Sequence, residues 1–113
     1  MSKTLFDQIK EAVLGSKYEL SLVFTTPAKI KKLNLIYRNI NKPTDILSFP
    51  LSKTTGEIFI CKSEAKKEMK KFDRSYENFL SFLFIHGLVH LKGYDHGVKM
   101  EKMEERFRKM FNI

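Results

Sequence analysis

The sequence predicts a single α/β domain in which helices flank a small sheet, and three observations lead to this prediction. The chain has 113 residues, 42% of them apolar, which suits one domain with a modest core. Helical periodicity alternates with short segments rich in β-branched and aromatic residues. One segment, residues 76–91, is apolar on nearly every side, which indicates a central helix packed beneath other elements. No repeat or linker divides residues 1–113.

The first part of the chain predicts a helix, a strand and a second helix. Residues 4–14 have one apolar side and are followed by a glycine, a residue that commonly ends a helix. "YELSLVFTT" predicts a strand over about residues 18–25. Thr26 can cap and Pro27 can open the next helix, which we expect to stop near Asn39. The apolar residues that recur at helical spacing in this segment are Ile30, Leu33, Tyr37 and Ile40.

The middle of the chain predicts two short strands. "DILSF" follows a turn at Pro43 and is closed by Pro50, and "GEIFIC" begins at Gly56. The polar interval between Pro50 and Gly56 can form a hairpin turn. We therefore expect the two strands to be antiparallel neighbours.

Three helices are predicted in the remainder. Ser63 can cap a charged helix over about residues 63–72. The apolar helix from Tyr76 to Leu91 comes next, and Gly93 ends it. The last segment, "VKMEKMEERFRKMF", is typical of an amphipathic helix. Its apolar side contains Met100, Met103, Phe107 and Met110.

Composition restricts the possible functions. Lys and Arg outnumber Asp and Glu 21 to 13, a net charge of +8, which favours nucleic-acid partners because basic side chains displace counterions from phosphates. Most of the basic residues are lysines, so a general lysine bias, without any nucleic-acid partner, is an open alternative explanation of the charge. The single cysteine excludes an internal disulfide framework, which makes a cytoplasmic location the expectation. No segment has the character of a membrane span or signal peptide, and nothing indicates a small-molecule cofactor.

All three histidines lie in "FIHGLVHLKGYDHG", residues 84–97. His86 and His90 are one helical turn apart on the same face, so one metal ion can reach both rings. Gly93 permits a sharp turn, and His96 follows closely enough to return to the same ion. The spacing H-x-x-x-H-x-x-G-x-x-H is that of the metzincin proteases, in which three imidazoles hold zinc and leave one position for water. We therefore predict one zinc ion per chain, bound by these three histidines; nickel and copper are open alternatives, because imidazole sites accept them as well.

Gly87 stands where those proteases carry a glutamate that takes a proton from the zinc-bound water. Peptide hydrolysis by the usual route therefore lacks its base, and a peptidase would need another carboxylate. Two further alternatives concern the roles of Cys61 and Asp95. Cys61, otherwise a small buried apolar residue, would close the site and make the zinc structural if it were a fourth ligand. Asp95 could orient a ligand histidine or cap the turn.

Three segments together, "LNLIYRNINKPTDILSFP", "GEIFIC" and "HGLVHLKGYDH", closely resemble the YbeY family of bacterial rRNA maturation factors over about residues 33–96. The resemblance implies a single-strand-specific, metal-dependent endoribonuclease in 16S rRNA maturation and ribosome quality control. The implied partners are single-stranded or ribosomal RNA and the ribosome or its proteins. The implied fold is a small mixed sheet of three to four strands flanked by helices, similar in outline to zinc proteases, with a central histidine-bearing helix.

The same resemblance implies zinc on His86, His90 and His96 and identifies Arg38 as the motif arginine. Its guanidinium could stabilise the negative charge that builds on phosphorus oxygens during RNA cleavage, although a solvated surface arginine is the simpler alternative. This chain departs from the pattern in two ways. A short amino end predicts three strands rather than four, and Asp45 replaces an asparagine found in several members. A zinc-stabilised rRNA-binding module without hydrolytic activity is the competing hypothesis.

Overall fold

The computed structural model describes residues 3–113. Its elements, in chain order, are α1 (Leu5–Leu14), β1 (Glu19–Phe24), α2 (Pro27–Arg38), β2 (Ile46–Pro50), β3 (Thr55–Ile60), α3 (Lys62–Glu68) followed by a 3-10 turn (Met69–Lys71), α4 (Tyr76–Leu91) and α5 (Val98–Met110). In this part of the chain, no helix combines the length and the apolar character needed to cross a membrane.

The three strands form one mixed sheet in the order β1-β3-β2. The central strand, β3, runs parallel to β1 and antiparallel to β2. The backbone N–H groups of Leu51 and Ser52 both donate to the carbonyl of Thr55, at 3.0 and 3.1 Å, and so close the β2–β3 hairpin. The predicted α/β class and the antiparallel strand pair are confirmed, and the sheet has three strands.

Local capping explains where the first two helices begin. Thr4 accepts a hydrogen bond from the N–H of Asp7, whose carboxylate accepts one in return from the N–H of Thr4, which makes a capping box for α1. Thr26 caps α2 by accepting from the N–H of Lys29, and Pro27 occupies the first turn. These starts agree with the sequence-based predictions.

Helix α4 is the centre of the core, as its all-round apolar pattern predicts. It packs against α1, α3, α5 and the sheet. Its fully buried apolar residues are Phe79, Phe84, Ile85, Leu88 and Val89. Because other elements pack against α4 on several sides, the backbone positions of the side chains that it directs out of the core are well defined.

Three local predictions are wrong. Helix α3 begins at Lys62 with Cys61 at its N-cap position, because the carbonyl of Cys61 already accepts from the N–H of Ala65; Ser63 therefore lies inside the first turn. Met110, at the last position of α5, is 55% exposed. Tyr37 is 64% exposed, because α2 turns only its Ile30 side towards the core.

Candidate active site

A cleft of about 500 Å³ opens between α2, β2 and α4. It brings together the four residues selected from the sequence, namely the three histidines and Arg38. The complete lining consists of Tyr37, Arg38, Thr44, Asp45, Ile46, Leu47, Ser48, Phe49, His86, His90 and His96. Residues far apart in the sequence thus share one concave surface.

The three imidazoles lie close to one another in this cleft. The ring centroids of His86 and His96 are 5.5 Å apart, and those of His90 and His96 are 6.4 Å apart. Three imidazoles that share one tetrahedral ion, with metal–nitrogen distances of about 2.0 Å, place their ring centroids about 5 Å apart. The measured ring centroids are therefore slightly further apart than they would be with all three imidazoles bound to one ion. Consistent with this, no group of three His, Cys, Asp or Glu side chains within residues 3–113 is arranged to hold a metal ion as it stands.

A helix end and a glycine turn bring the third ring towards the other two. Helix α4 ends at Leu91, and Gly93 follows with a φ of 106°, a conformation that favours glycine. The N–H of Gly93 donates to the carbonyl of His90 at 3.0 Å, which closes the turn. His96 then lies exposed on the loop, whereas His86 and His90 are half-buried on the helix. The ring with the most freedom to move inward is therefore His96.

A buried carboxylate holds one of the helical rings. Nδ1 of His86 lies 3.0 Å from Oε1 of Glu104, a residue of α5 that is only 7% exposed. Asp95, for which the sequence allowed such a contact, is exposed. Within residues 3–113 the histidine–carboxylate hydrogen bond is made by Glu104 instead.

The other helical ring lies in an environment that favours its neutral form. Burial lowers the pKa of His90, and the nearby rings of His86 and His96 lower it further. The carboxylate of Asp95 opposes this by raising the pKa of His90. A neutral imidazole is the form that coordinates a metal ion.

Gly87 is closely packed against the sheet, so a side chain at this position would force its neighbours to shift. A Cβ atom at this position would lie 2.7 Å from Oγ of Ser48 and 3.0 Å from Cδ1 of Ile46, both on β2. It would also lie 3.1 Å from Cδ1 of Ile58 on β3. The side chains of the sheet therefore occupy the space that the glutamate of a zinc protease would need.

Arg38 is the last residue of α2 and is exposed at the edge of the cleft. The helix stops there because Asn39 adopts the left-handed conformation, with a φ of 58°, and its N–H donates to the carbonyl of Leu35. The adjacent Tyr37 packs its ring against Phe49 of β2, with centroids 4.8 Å apart. Both side chains therefore lie at the entrance rather than in the core.

Comparison with known proteins identifies the family. The sequence profile described as Endoribonuclease YbeY matches residues 1–113. The chain belongs to the YbeY endoribonuclease family. A protein named Endoribonuclease YbeY from Phytoplasma australiense is 37% identical, with the alignment spanning 96% of this chain and 82% of that relative. Another of the same name, from Thermosipho melanesiensis, is 36% identical over 95% of this chain and 76% of its own.

A solved structure agrees with this assignment to the YbeY family. The solution structure of TM1509 from Thermotoga maritima superposes with a TM-score of 0.67 at 26% sequence identity. The superposition covers 94% of this chain and 78% of that one. The family resemblance of the sequence is confirmed, and the fold agrees with it.

Two buried polar residues, which lie outside the lining of the cleft, could not be identified from the sequence. Glu104 lies on the buried face of α5, four residues after Met100 and three before Phe107, so a carboxylate within an apolar stripe was the available signal. Asn34 is buried on α2, and its Nδ2 donates to the carbonyl of Lys42 at 2.9 Å. That bond ties the loop after α2 to the helix. Both residues interrupt an otherwise apolar face.

Asp45 belongs to the same loop and lies in the cleft. Burial raises the pKa of its carboxyl, and the negative charge of Glu68 raises it further. Hydrogen bonds from the backbone of Asp45 and Ile46 and from the hydroxyl of Thr44 oppose this shift in pKa. Ionisation of Asp45 therefore costs more free energy in the folded protein than it would in water.

Cys61 is fully buried and packs with Ile30 and Leu47. Its thiol lies 3.4 Å from the hydroxyl of Ser63. It does not contribute to the lining of the histidine cleft. These contacts support a packing role for Cys61 and give no support to a fourth metal ligand.

Proposed function

We propose that this chain is a metal-dependent endoribonuclease that cuts single-stranded RNA. The observation that carries the proposal is the convergence of Arg38 and the three histidines on one cleft, in a chain that belongs to the YbeY family. Relatives bearing the name Endoribonuclease YbeY are 36–37% identical over most of the chain. We further propose that the substrate is 16S rRNA, during its maturation and quality control on the ribosome.

Zinc is the metal proposed for this cleft. His86, His90 and His96 would hold one ion, since three imidazoles are a donor set that suits zinc and their ring centroids are already 5.5 and 6.4 Å apart for the pairs that include His96. When bound, such an ion polarises a phosphoryl oxygen and makes hydroxide available near neutral pH.

Arg38 would act on the phosphate during cleavage. Negative charge builds on the nonbridging oxygens of the phosphate as the chain is cut, and a guanidinium can donate paired hydrogen bonds to them. Arg38 lies at the entrance of the cleft that contains the histidines. Its exposure means that it reaches a bound phosphate without first breaking contacts in the core.

Tyr37 would select unpaired RNA. Its exposed ring is supported from behind by Phe49, which in turn makes an edge-to-face contact with Phe59 at 5.9 Å. An aromatic ring fixed in this way can stack on a splayed nucleobase, whereas the bases of a duplex are already stacked on one another. The net charge of +8 adds attraction for the phosphate backbone.

The test combines metal analysis with RNA cleavage by the purified protein. We expect about one zinc per chain, cleavage of a single-stranded oligoribonucleotide, loss of cleavage after chelation and recovery when zinc is restored. The same sequence annealed to its complement should be cut much more slowly. Cleavage that survives complete removal of metal would contradict the mechanism, and RNA binding without any cleavage would favour the binding-module alternative. Accumulation of 16S precursors on depletion of the protein would test the proposed substrate.

A further inference from the structure

We propose that Glu104 is a positioning residue that fixes which nitrogen of His86 faces the cleft. Its carboxylate accepts a hydrogen bond from Nδ1–H of His86, so the lone pair of the ring is placed on Nε2. The inference rests on the proposed function, because it concerns a ring that this function uses. It adds α5 to the elements that build the site.

The contact that supports this role joins two helices. Oε1 of Glu104 lies 3.0 Å from Nδ1 of His86, across 18 positions of sequence. Nη1 of Arg108, one turn further along α5, lies 3.9 Å from the same oxygen. The carboxylate is thus placed between an imidazole and a guanidinium, which compensates for its burial.

Packing alone does not require a carboxylate at this position. Glu104 is 7% exposed and shares the inner face of α5 with the apolar residues Met100 and Phe107. Burying a carboxylate among apolar residues is costly unless it is paired. The side chain to which Glu104 is hydrogen bonded is that of His86. The position is therefore explained better by what it does for the ring than by the stability of α5.

The consequence for the ring follows from imidazole chemistry. A neutral imidazole carries one N–H, and the hydrogen bond made by one nitrogen determines which nitrogen is left to bind a metal. With the proton on Nδ1 and directed at Glu104, Nε2 is free to coordinate. Carboxylates in this arrangement also fix the orientation of the ring, and their loss typically weakens metal binding 10–100-fold.

The experiment compares Glu104→Leu, Glu104→Gln and the control Glu105→Gln. Glu105 is the adjacent carboxylate on α5, exposed and paired with Lys109 at the surface. The first readout is the tautomer of His86 in metal-free protein, taken from its ¹⁵N shifts at a pH where the ring is neutral. We expect Nδ1–H in the wild type and in Glu104→Gln, whose amide oxygen can still accept, and a shift towards Nε2–H in Glu104→Leu.

The second readout is zinc affinity, measured by competition with a chromophoric chelator. We expect Glu104→Leu to bind zinc about 10–100-fold more weakly. Glu104→Gln should fall between Glu104→Leu and the wild type, and Glu105→Gln should match the wild type. An Nε2–H tautomer in the wild type, or a folded Glu104→Leu with unchanged tautomer and zinc affinity, would overturn the inference. If Glu104→Leu does not fold, Glu104→Gln takes its place, and unchanged zinc affinity in that variant would overturn the inference.

These readouts separate the inference from the proposed function, since neither uses RNA. A wild-type protein with the expected tautomer and zinc affinity but without RNA cleavage would refute the proposed function and leave the role of Glu104 intact. RNA cleavage by the wild type, together with an unaltered tautomer in Glu104→Leu, would support the proposed function and refute the role of Glu104.

Discussion

The floor and the rim of the cleft are built in opposite ways. The floor, residues 84–91 of α4, lies in the core, with Gly87 pressed against β2. The rim, residues 37–45, begins with the exposed side chains of Tyr37 and Arg38. Substitutions in the floor should therefore alter both folding and activity, whereas substitutions of those two side chains should alter substrate binding or catalysis with little effect on folding. The predictions below test this difference, in order of decreasing effect.

The largest effect is expected for Arg38→Ala at the rim. Removal of a donor that stabilises developing charge typically lowers kcat about 10²–10³-fold. Because Arg38 is exposed, the free energy of unfolding should change by less than about 0.5 kcal/mol, and zinc content should not change. Steady-state cleavage of a single-stranded oligoribonucleotide and a urea titration measure both effects. Arg38→Lys should restore only part of the rate, since an ammonium lacks the paired donors; an Arg38→Ala protein with wild-type kcat would remove Arg38 from the mechanism.

The next effect is expected for Gly87→Ala in the floor. The new Cβ would lie 2.7 Å from Oγ of Ser48, so the side chain of Ser48 must move away from the helix. Overpacking of this kind lowers the free energy of unfolding by about 1–3 kcal/mol. Glu77→Gln, at an exposed position of the same helix, is the matched control and should stay within about 0.5 kcal/mol in a urea titration. Wild-type stability for Gly87→Ala would show that the floor is less rigid than the packing indicates.

Tyr37→Ala tests the other exposed side chain of the rim. Loss of a stacked base costs about 1–3 kcal/mol of binding free energy. We expect KM for single-stranded RNA to rise accordingly while kcat changes little, because the ring contacts the substrate away from the reacting phosphate. Tyr37→Phe keeps the stacking surface and serves as the control. A fall in kcat at constant KM would show that Tyr37 acts in the chemical step instead.

Cys61→Ala tests whether Cys61 packs in the core beside the cleft or binds metal within it. Removing a buried sulfur costs about 1 kcal/mol of stability, comparable to the loss of one buried methylene group. Zinc content should not change, because Cys61 packs with Ile30 and Leu47. Metal analysis and thermal unfolding measure the two quantities. Loss of zinc in a folded Cys61→Ala protein would make the thiolate a ligand and the metal structural.

The smallest effect is expected for Asp45→Asn. The folded-state pKa of Asp45 lies above its ordinary value of 3.8, so the carboxyl favours folding while it is protonated, and this contribution is lost as pH rises through the folded pKa. Asp45→Asn should therefore be slightly more stable than the wild type at neutral pH. The difference should shrink as pH falls through the folded pKa and vanish below about 3.8. Urea titrations across this range provide the measurement, and a variant less stable at neutral pH would contradict the shift.

What the sequence could predict depended on the range of the interactions involved. The helices, the strands and the placement of His86 and His90 on one helical face follow from periodicity and spacing, which are local. Gly93 could be identified as the turn residue for the same reason. The structure has these features where the pattern predicts them.

The features that could not be predicted depend on contacts between distant segments. Glu104 meets His86 only because α5 packs on α4, and Asn34 meets the carbonyl of Lys42 only after the loop folds back. The helical spacing of Tyr37 placed it with the core residues, yet the sheet covers only one side of α2 and leaves it exposed. In each case the type of residue can be read from the sequence, whereas its neighbour in the folded chain cannot.

The glycine loop that carries His96 has a consequence for how metal would enter and leave. Gly93 and Gly97 both have positive φ and lie on either side of the third imidazole. Glycine restricts the backbone less than other residues do, so ordering this loop around an ion would cost more conformational entropy than ordering the same length of helix. Affinity would then include an ordering penalty that the helical pair does not incur. Because His96 lies outside α4, its ring would join or leave a set of metal ligands without any unwinding of that helix.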